Sequence, residues 1–355
     1  ERALQRRNVV LQRMNDVGIL NSKRVERLQS KPLKLDVQKF SNGCVFSAAP
    51  FFCDYVIQWL LKDDALGANK KERRSLLNTG GLTIRTTLDL DYQRGADTAV
   101  RERVYPRNNA IGALAMVEPG TGEVRALAQS RPMGADRAAG QTYLNYTVPR
   151  KYGDSGGFQP GSTFKPIVYA AAIEEKIITP ASIYLDTPKT FKLDGGKTYT
   201  PRNSDGKSRG KIRIREGIGA SRNVVAVRVL DELGVDKAIA FAKKIGIKGA
   251  LVDNITMVMG SSSLTNLEMV NTYATFASGG YLAEPRFITH IETMRGETER
   301  FASKREQVLA AEGAYLISDL MIAVTQGYTD RNGTRRLGTG SNVDKLGKGM
   351  AIAGK

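Results

Sequence analysis

Two spacings of hydrophobic residues alternate along the chain, and together they predict a protein that mixes helices with strands. Apolar residues recur at near-helical spacing over residues 1–30, with a break at Gly18 and Asn21, and a second helix is predicted over 51–61. Residues 31–50 have little periodicity and predict a tether. A charged loop is predicted after the second helix. Residues 80–89 then show a strand pattern, with a helix after them.

The pattern of apolar and polar residues changes at residue 110. Two apolar runs flank the sequence PGTG at 119–122, which predicts a β-hairpin, and residues 130–160 are rich in Gly, Asp and Arg and predict a surface loop. Further helices are predicted after Pro160 and over about 216–245, 264–278 and 311–325, and strands over 281–294 and in the terminal MAIAGK. Strand pairs first, helices in the middle and a strand last predict an α/β domain with an antiparallel sheet.

The net charge of the chain indicates which classes of partner it can bind. The chain carries 53 basic and 36 acidic residues, for a net charge of +17, which predicts an anionic neighbour: nucleic acid, a membrane surface or an anionic polymer. Basic clusters such as 70–74 are small and typical of solvated surface. Because no basic stripe is interleaved with aromatic residues, a nucleic-acid partner is not expected.

The rare residue types exclude several sites. With His290 as the one histidine, a three-histidine zinc site is excluded and a Ser-His-Asp triad would have to use that residue. Neither a metal nor a cofactor is expected. His290 lies in a strand-like run and is interpreted as structural. Cys44 and Cys53 favour an oxidised pair outside the cytoplasm, with two unrelated buried thiols as the alternative. No apolar stretch is long enough to predict a membrane-spanning helix.

The segment GFQPGSTFKPIVYAAAIEEK carries the first candidate chemistry. Its apolar spacing predicts a helix with one face in the core, and Ser162 and Lys165 lie three apart at its start. A lysine whose pKa is lowered by burial can take the proton from a serine hydroxyl, and the helix N-terminus favours a developing oxyanion. The alternative is a capping serine beside a snorkelling lysine. The same spacing at Ser204/Lys207 and Ser208/Lys211 lies in a Gly-rich charged loop and is interpreted as solvated surface.

Two further pieces accompany it. Ser221-Arg222-Asn223 is the only S-x-N in the chain and precedes an apolar helix, so the hydroxyl and carboxamide can point into a cleft or cap the helix. The sequence AGK closes the chain at Lys355. The serines at 261–263 can line a cleft or cap a helix, and the cap is the favoured interpretation.

Together these motifs resemble class A penicillin-binding proteins, whose transpeptidase domain carries S-x-x-K, S-x-N and K-T-G in that order. The segments MVEPGTGEVRAL, GFQPGSTFKP, MVMGSSSLTNLEMVNTYATFASGGY and MAIAGK are similar to family segments, and APFFCDYV is similar to the linker of actinobacterial members. The resemblance implies the penicillin-binding/serine β-lactamase-like fold, an antiparallel sheet with helices on both faces plus a helical subdomain. It divides the chain into a glycosyltransferase remnant (1–30), a linker domain with the two cysteines (31–105) and a transpeptidase domain (106–355).

The resemblance also implies a reaction. Ser162 would attack a D-Ala-D-Ala stem peptide of peptidoglycan, Lys165 would act as base, and Ser221 with Lys355 would transfer a proton to the leaving amine. Asn223 would bind the substrate backbone, and β-lactams would be covalent ligands. The sequence ends at Lys355, where the family continues with Thr and Gly, and no glycosyltransferase activity is assigned to it.

Location, partners and competing functions follow from the same resemblance. It implies the extracytoplasmic face of a bacterial membrane, an anionic membrane surface or wall polymers as neighbours, and cell-division or elongation proteins as candidate partners. A D-Ala-D-Ala carboxypeptidase or serine β-lactamase is one alternative. A non-catalytic module that binds β-lactams or cell wall is the other.

Overall fold

The computed structural model of the chain describes residues 2–33, 43–345 and 352–355. Its contacts divide the chain into an N-terminal unit, Glu1–Gly43, and a main unit, Cys44–Lys355. The tether predicted over 31–50 falls largely on 34–42, outside the described residues. None of the described helices combines the length and the apolar character needed to cross a membrane.

The N-terminal unit contains two helices, α1 (Arg2–Asp16) and α2 (Ser22–Gln29). The predicted break between them is confirmed, because Asn21 begins α2 as its cap and its Oδ1 accepts a hydrogen bond from Arg24 N at 2.9 Å. The Arg7 guanidinium donates to the carbonyl of Gln29 at 2.8 Å and ties the two helices together.

The main unit confirms the predicted mixture of helices and strands. Its helices are α3 (Pro50–Leu60), α4 (Lys70–Thr79), α5 (Leu90–Arg103), α6 (Arg150–Gly153), α7 (Lys165–Glu174), α8 (Ile214–Gly219), α9 (Asn223–Leu233), α10 (Val235–Lys244), α11 (Asn266–Ala277) and α12 (Ala311–Thr325). Its strands are β1 (Thr83–Thr86), β2 (Ala113–Val117), β3 (Val124–Gln129), β4 (Ile183–Asp186), β5 (Phe191–Lys192), β6 (Thr198–Tyr199), β7 (Gly210–Arg213), β8 (Tyr281–Ala283), β9 (Ile288–Glu292), β10 (Thr298–Arg300), β11 (Arg305–Gln307), β12 (Tyr328–Thr329) and β13 (Arg335–Arg336).

The strands that the structure describes pair antiparallel, as predicted. Strand β9 lies between β1 and β10, and the remaining strands form two-stranded pairs, among them the predicted hairpin β2–β3. Val124 N donates to the carbonyl of Arg286 at 2.8 Å, and Arg286 N donates to that of Gly122 at 2.8 Å. These bonds place the hairpin beside the segment that leads into β9. His290 lies on β9, where its Nε2 is 3.1 Å from Glu292 Oε1.

Two hydrophobic clusters hold the main unit together. The larger one surrounds α7 with side chains from α9, α10 and α12. In the smaller one, Phe52, Tyr55 and Leu60 of α3 pack with Phe287 and Ile291. Burial of such side chains stabilises the fold by about 1.5–3 kcal/mol each.

A disulfide joins Cys44 to Cys53 at the start of α3, with the two Cα atoms 5.3 Å apart. The bond therefore cross-links the segment before α3 to that helix, and α3 packs against side chains of β3 and β9.

The charged loop predicted between the second helix and residue 80 is confirmed over 62–69 and wrong over 70–79, which form α4. Asn69 begins this helix, and its Oδ1 accepts hydrogen bonds from Lys71 N at 3.1 Å and Glu72 N at 3.0 Å. The partly buried Leu76 and Leu77 pack against the smaller cluster. Local capping and two apolar side chains thus outweigh the high charge of the segment.

The surface loop predicted over 130–160 is also wrong over its second half. Asn145, Thr147 and Val148 are all 0% exposed. The segment can be buried because Asn145 satisfies its neighbours: its Oδ1 accepts from Thr147 N at 3.1 Å and its Nδ2 donates to the carbonyl of Phe51 at 3.0 Å. At the other end of the domain, residues 352–355 of the terminal MAIAGK form no strand.

Candidate active site

The candidate nucleophile lies on a tight turn that leads directly into α7. Residues Gly161–Phe164 form a single 3₁₀ turn, closed by a hydrogen bond from Lys165 N to the carbonyl of Ser162. Pro166 lies in the first turn of α7, as predicted, where its missing N–H removes no helical hydrogen bond. The Ser162 side chain is partly exposed and has no hydrogen-bond partner among the described residues, so its hydroxyl is open to a ligand.

The segment that contains Gly260 packs closely against this turn, because Gly260 has no side chain. Gly161 N donates to the carbonyl of Gly260 at 3.4 Å, and a Cβ atom on Gly260 would lie 2.3 Å from Gly161. Gly260 has a φ of +67°, a conformation that favours glycine. The predicted helix cap by the serines at 261–263 is wrong, since Thr265 caps α11 and Ser262 Oγ accepts from Val252 N instead.

Helix α7 is buried on every side rather than on the one face that its sequence predicts. Every residue from Lys165 to Ile173 is buried, in agreement with an apolar run that includes three consecutive alanines. A helix surrounded by core in this way holds the turn at its N-terminus in a fixed position.

Lys165 is the polar exception inside this core. Its side chain is 0% exposed, and Nζ lies 2.9 Å from the Ser221 carbonyl, 3.3 Å from Ser221 Oγ and 2.6 Å from Asn223 Oδ1. Three acceptors match the three N–H groups of an ammonium. The predicted first and second motifs are therefore brought together at one amine.

The environment of this amine favours its neutral form. Burial, and then the positive charges of Lys355 and Arg222, lower the pKa of Lys165 to about 7. A lysine with such a pKa is neutral in about half of the molecules at neutral pH, and a neutral amine can accept a proton. Lys165 can therefore act as a general base.

Ser221 is presented to this amine by a strained turn between α8 and α9. Its φ is +54°, in the left-handed region that residues other than glycine rarely adopt. Two backbone hydrogen bonds fix the turn, from Ser221 N to the carbonyl of Ile218 at 3.0 Å and from Arg222 N to that of Gly217 at 2.8 Å. Such strain is common at functional sites.

The helix cap that the sequence allowed for Ser221 and Asn223 is supplied by another residue. Asn203 Oδ1 accepts hydrogen bonds from Asn223 N at 2.9 Å and from Val224 N at 3.2 Å, at the start of α9. Asn223 Nδ2 in turn donates to the carbonyl of Arg202 at 2.7 Å. With its nitrogen held there, the Asn223 carboxamide directs its oxygen toward Lys165.

Sequence reasoning missed the charged group that supports this turn. Arg222, between the two motif residues, is 2% exposed and pairs with the fully buried Asp186 at 2.8 Å and with Asp205 at 2.7 Å. Asn203 Nδ2 also donates to Asp186, at 2.8 Å. The ion pair and the hydrogen bond to this carboxylate fix the turn in place. No sequence spacing marks the group, because Asp186 comes 36 residues before Arg222.

Lys355 contacts the end of α8 that leads into the same turn. Its Nζ donates to the carbonyl of Ile218 at 3.0 Å, and burial lowers its pKa to about 8. It thus contributes positive charge near Ser221 and Lys165. Among the described residues, no group of three or more His, Cys, Asp or Glu side chains is arranged to hold a metal ion.

Comparison with known proteins agrees with this geometry. The family model for the penicillin binding protein transpeptidase domain matches residues 112–355. The chain belongs to this family. Among curated relatives, penicillin-binding protein 2D of Bacillus subtilis (strain 168) is 27% identical over 339 residues, which cover 94% of this chain and 46% of the relative. Penicillin-binding protein 1A of Neisseria lactamica is 32% identical over 247 residues, 69% of this chain and 29% of the relative. The chain thus spans less than half the length of these penicillin-binding proteins.

Solved penicillin-binding proteins share the fold. PonA1 of Mycobacterium tuberculosis in complex with penicillin V matches with a TM-score of 0.63 and 22% identity, over 77% of this chain and 72% of that one. Penicillin-binding protein 1A of Haemophilus influenzae matches with a TM-score of 0.65 and 21% identity, over 97% of this chain and 66% of that one. At these identities the likeness is one of fold, and it confirms the predicted fold class.

The penicillin-binding transpeptidase domain thus contains all five residues predicted for its site, and hydrogen bonds link Lys165 with Ser221 and Asn223. The side chains of the other two S-x-x-K pairs make no hydrogen bond to these five residues. Their serines and lysines are exposed, as predicted, on the loop after β6 and at the start of β7: Ser204, Lys207, Ser208 and Lys211.

Proposed function

We propose that the chain is the D,D-transpeptidase part of a class A penicillin-binding protein and cross-links peptidoglycan stem peptides through a serine acyl-enzyme. The observation that carries the proposal is the buried Lys165 amine, with a pKa near 7, between the S-x-N residues and one turn from Ser162. Membership of the family supports it.

In the first step, Ser162 Oγ attacks the carbonyl between the two terminal D-alanines. Neutral Lys165 takes the hydroxyl proton, and a tetrahedral intermediate forms. The three acceptors around Nζ stabilise the ammonium that results. Ser221 and Asn223 therefore favour the protonated base that this step produces, in addition to placing it.

The intermediate then expels D-alanine. Its amine must gain a proton as the C–N bond breaks, and Ser221 Oγ, 3.3 Å from Nζ, is placed to pass that proton on from Lys165. Lys355, whose amine donates to the carbonyl of Ile218 three residues before Ser221, favours the negative charge that develops on the Ser221 hydroxyl during this proton transfer. Asn223, predicted to bind the substrate backbone, exchanges one of its present partners to do so.

In the second step, an amine of a neighbouring stem peptide attacks the ester carbonyl of the acyl-enzyme. A new amide bond forms, Ser162 regains its proton through Lys165, and the two strands are cross-linked. A β-lactam acylates the same serine when its ring amide opens, and the acyl group remains bound. Water as acceptor would instead make the protein a carboxypeptidase or β-lactamase; product analysis separates the two, since only transfer yields a cross-linked dimer.

We further propose that the domain works at the extracytoplasmic face of a bacterial membrane. The Cys44–Cys53 disulfide supports an oxidising compartment, and the net charge of +17 suits a surface of anionic lipids and wall polymers.

Intact-protein mass spectrometry with benzylpenicillin tests the proposal. We expect one covalent adduct, mapped to the peptide that contains Ser162, and no adduct on the Ser162→Ala variant. Ser204→Ala, in an exposed S-x-x-K pair, is the matched control and should label like the parent protein. Labelling that persists in Ser162→Ala would overturn the assignment of the nucleophile.

A further inference from the structure

A basic cavity adjoins the structure that holds Ser221, and none of the proposed catalytic residues lines it. It has a volume of about 520 Å³. Four cations and two carboxylates surround it: Arg209, Lys211, Arg331, Arg336, Glu216 and Asp330. We call it the basic cavity.

Each of the two carboxylates of the basic cavity already has an ion-pair partner. Asp330 pairs with Arg336 at 2.8 Å and accepts hydrogen bonds from two backbone N–H groups. Glu216, which caps its own helix, pairs with Arg213 at 3.4 Å. Both carboxylates are buried. They therefore do not offset the remaining cations.

Lys211 and Arg331 have no ion-pair partner in the part of the chain that the structure describes, and both are exposed. The Arg209 guanidinium donates to the hydroxyl of Tyr328 at 2.8 Å. Cations that converge on a concave surface without carboxylate partners attract an anion, and an arginine can bind a carboxylate or phosphate through two parallel hydrogen bonds.

The basic cavity is joined to the candidate active site by two rigid connections. Arg209 N donates at 3.1 Å to Asp186, the buried carboxylate that holds Arg222. On the other side, the hairpin β12–β13, whose turn carries Arg331, packs on α8 two residues before Ser221. A Cβ atom on Gly219 would lie 2.5 Å from the Tyr328 ring. An anion in the cavity would thus lie beside the ion pair and the helix that position the S-x-N turn.

We propose that the basic cavity binds a free carboxylate of the stem peptide that reacts at Ser162, away from its D-Ala-D-Ala end. The proposal rests on the function proposed above and names a chemical class within its substrates: peptides whose carboxylate is free rather than amidated. The location favours the substrate as the source of the anion, because Ile212 and Glu216 line the cavity at the start of α8, a helix of six residues whose other end leads into Ser221. At about 1.5 Å per residue the two ends of this helix lie roughly 9 Å apart, which is within the length of a stem peptide. Phosphate of a wall polymer shares the same chemistry and is the competing source.

Two synthetic stem peptides test the proposal. Both end in D-Ala-D-Ala, and they differ only in having one side-chain carboxylate free or amidated. Their ability to protect Ser162 of the full-length protein from benzylpenicillin labelling is measured, which requires no turnover. We expect the free acid to protect at about tenfold lower concentration than the amide, and 0.5 M salt to reduce that preference.

Variants assign the preference to the cavity. Lys211→Gln and Arg331→Gln should each reduce it about threefold, and the double variant should abolish it, while the rate of penicillin labelling stays that of the parent. Arg300→Gln, an equal loss of charge on the exposed strand β10, is the matched control and should keep the full preference.

The outcomes separate this proposal from the function on which it rests. Equal protection by the two peptides, no protection by either, or a preference that survives in the double variant would overturn the carboxylate site, even with penicillin labelling intact. Equal protection combined with competition by a glycerol phosphate oligomer that the double variant abolishes would assign the cavity to wall polymer. Absence of penicillin labelling would instead count against the proposed function.

Discussion

Lys165 is a buried amine whose protonation state decides what the site can do. Only the neutral form can take the proton of Ser162, and burial, with the charges of Lys355 and Arg222, lowers its pKa to about 7. The fraction of neutral amine rises as the pH rises through that value. The rate of acylation should therefore follow the same curve.

We predict that acylation by benzylpenicillin slows about tenfold per pH unit below pH 7 and levels off above it, with circular dichroism used to check that the protein remains folded. Lys355→Gln should move the midpoint to higher pH, because removal of a neighbouring positive charge raises the pKa of Lys165. Arg300→Gln should leave the midpoint in place. A rate that does not change between pH 5.5 and 8 would exclude Lys165 as the base.

At the scale of elements, the start of α9 determines where Asn223 and Ser221 point. Asn203 caps this helix from a loop about twenty residues earlier, and it also donates to Asp186. Asn69 caps α4 in the same way, but none of its hydrogen bonds reaches the S-x-N residues. A comparison of variants at Asn203 and Asn69 can therefore distinguish the effect of a cap on helix stability from its effect on the alignment of the site.

We predict that Asn203→Ala and Asn69→Ala each lower the free energy of unfolding, by about 1–2 kcal/mol, as loss of a helix cap does. Only Asn203→Ala should also slow penicillin acylation, by about tenfold or more, because it releases the turn that holds Ser221. Denaturant unfolding and acylation kinetics measure the two effects. Equal acylation rates in the two variants would show that the cap has no role in aligning the site.

Local signals in the sequence predicted most helices and strands but not the buried ion pair that supports the site. The break at Gly18, the hairpin β2–β3 and helix α12 follow from spacing and turn residues within a few positions. The pairing of Arg222 with Asp186 joins residues 36 apart, and only folding brings them together. The charge of α4 concealed a helix for a similar reason, since its two packed leucines became informative only with their partners in place.

At the scale of the molecule, the disulfide closes a ten-residue loop at the start of α3, which packs on the smaller hydrophobic cluster. Closing such a loop restricts the unfolded chain more than the folded one. The bond therefore contributes to the stability of the main unit. Neither cysteine contributes a hydrogen bond to the candidate active site.

We predict that replacing both Cys44 and Cys53 with serine lowers the free energy of unfolding by about 2–3 kcal/mol and leaves the acylation rate within about twofold of the parent. A reducing agent should produce the same loss of stability in the parent protein and none in the double variant. A folded double variant that no longer reacts with penicillin would contradict this separation.

The burial of α7 on every side also limits how the protein can change under selection by a drug. Truncation of a large buried side chain in this helix costs about 2–5 kcal/mol, a large part of the 5–15 kcal/mol that keeps a domain folded. Mutations that move Ser162 by repacking α7 would therefore unfold the protein, and the cell would lose the enzyme's activity together with its sensitivity to the drug. Tolerated changes are expected instead among exposed residues that border the site, where a side chain can alter access to the serine without disturbing the core.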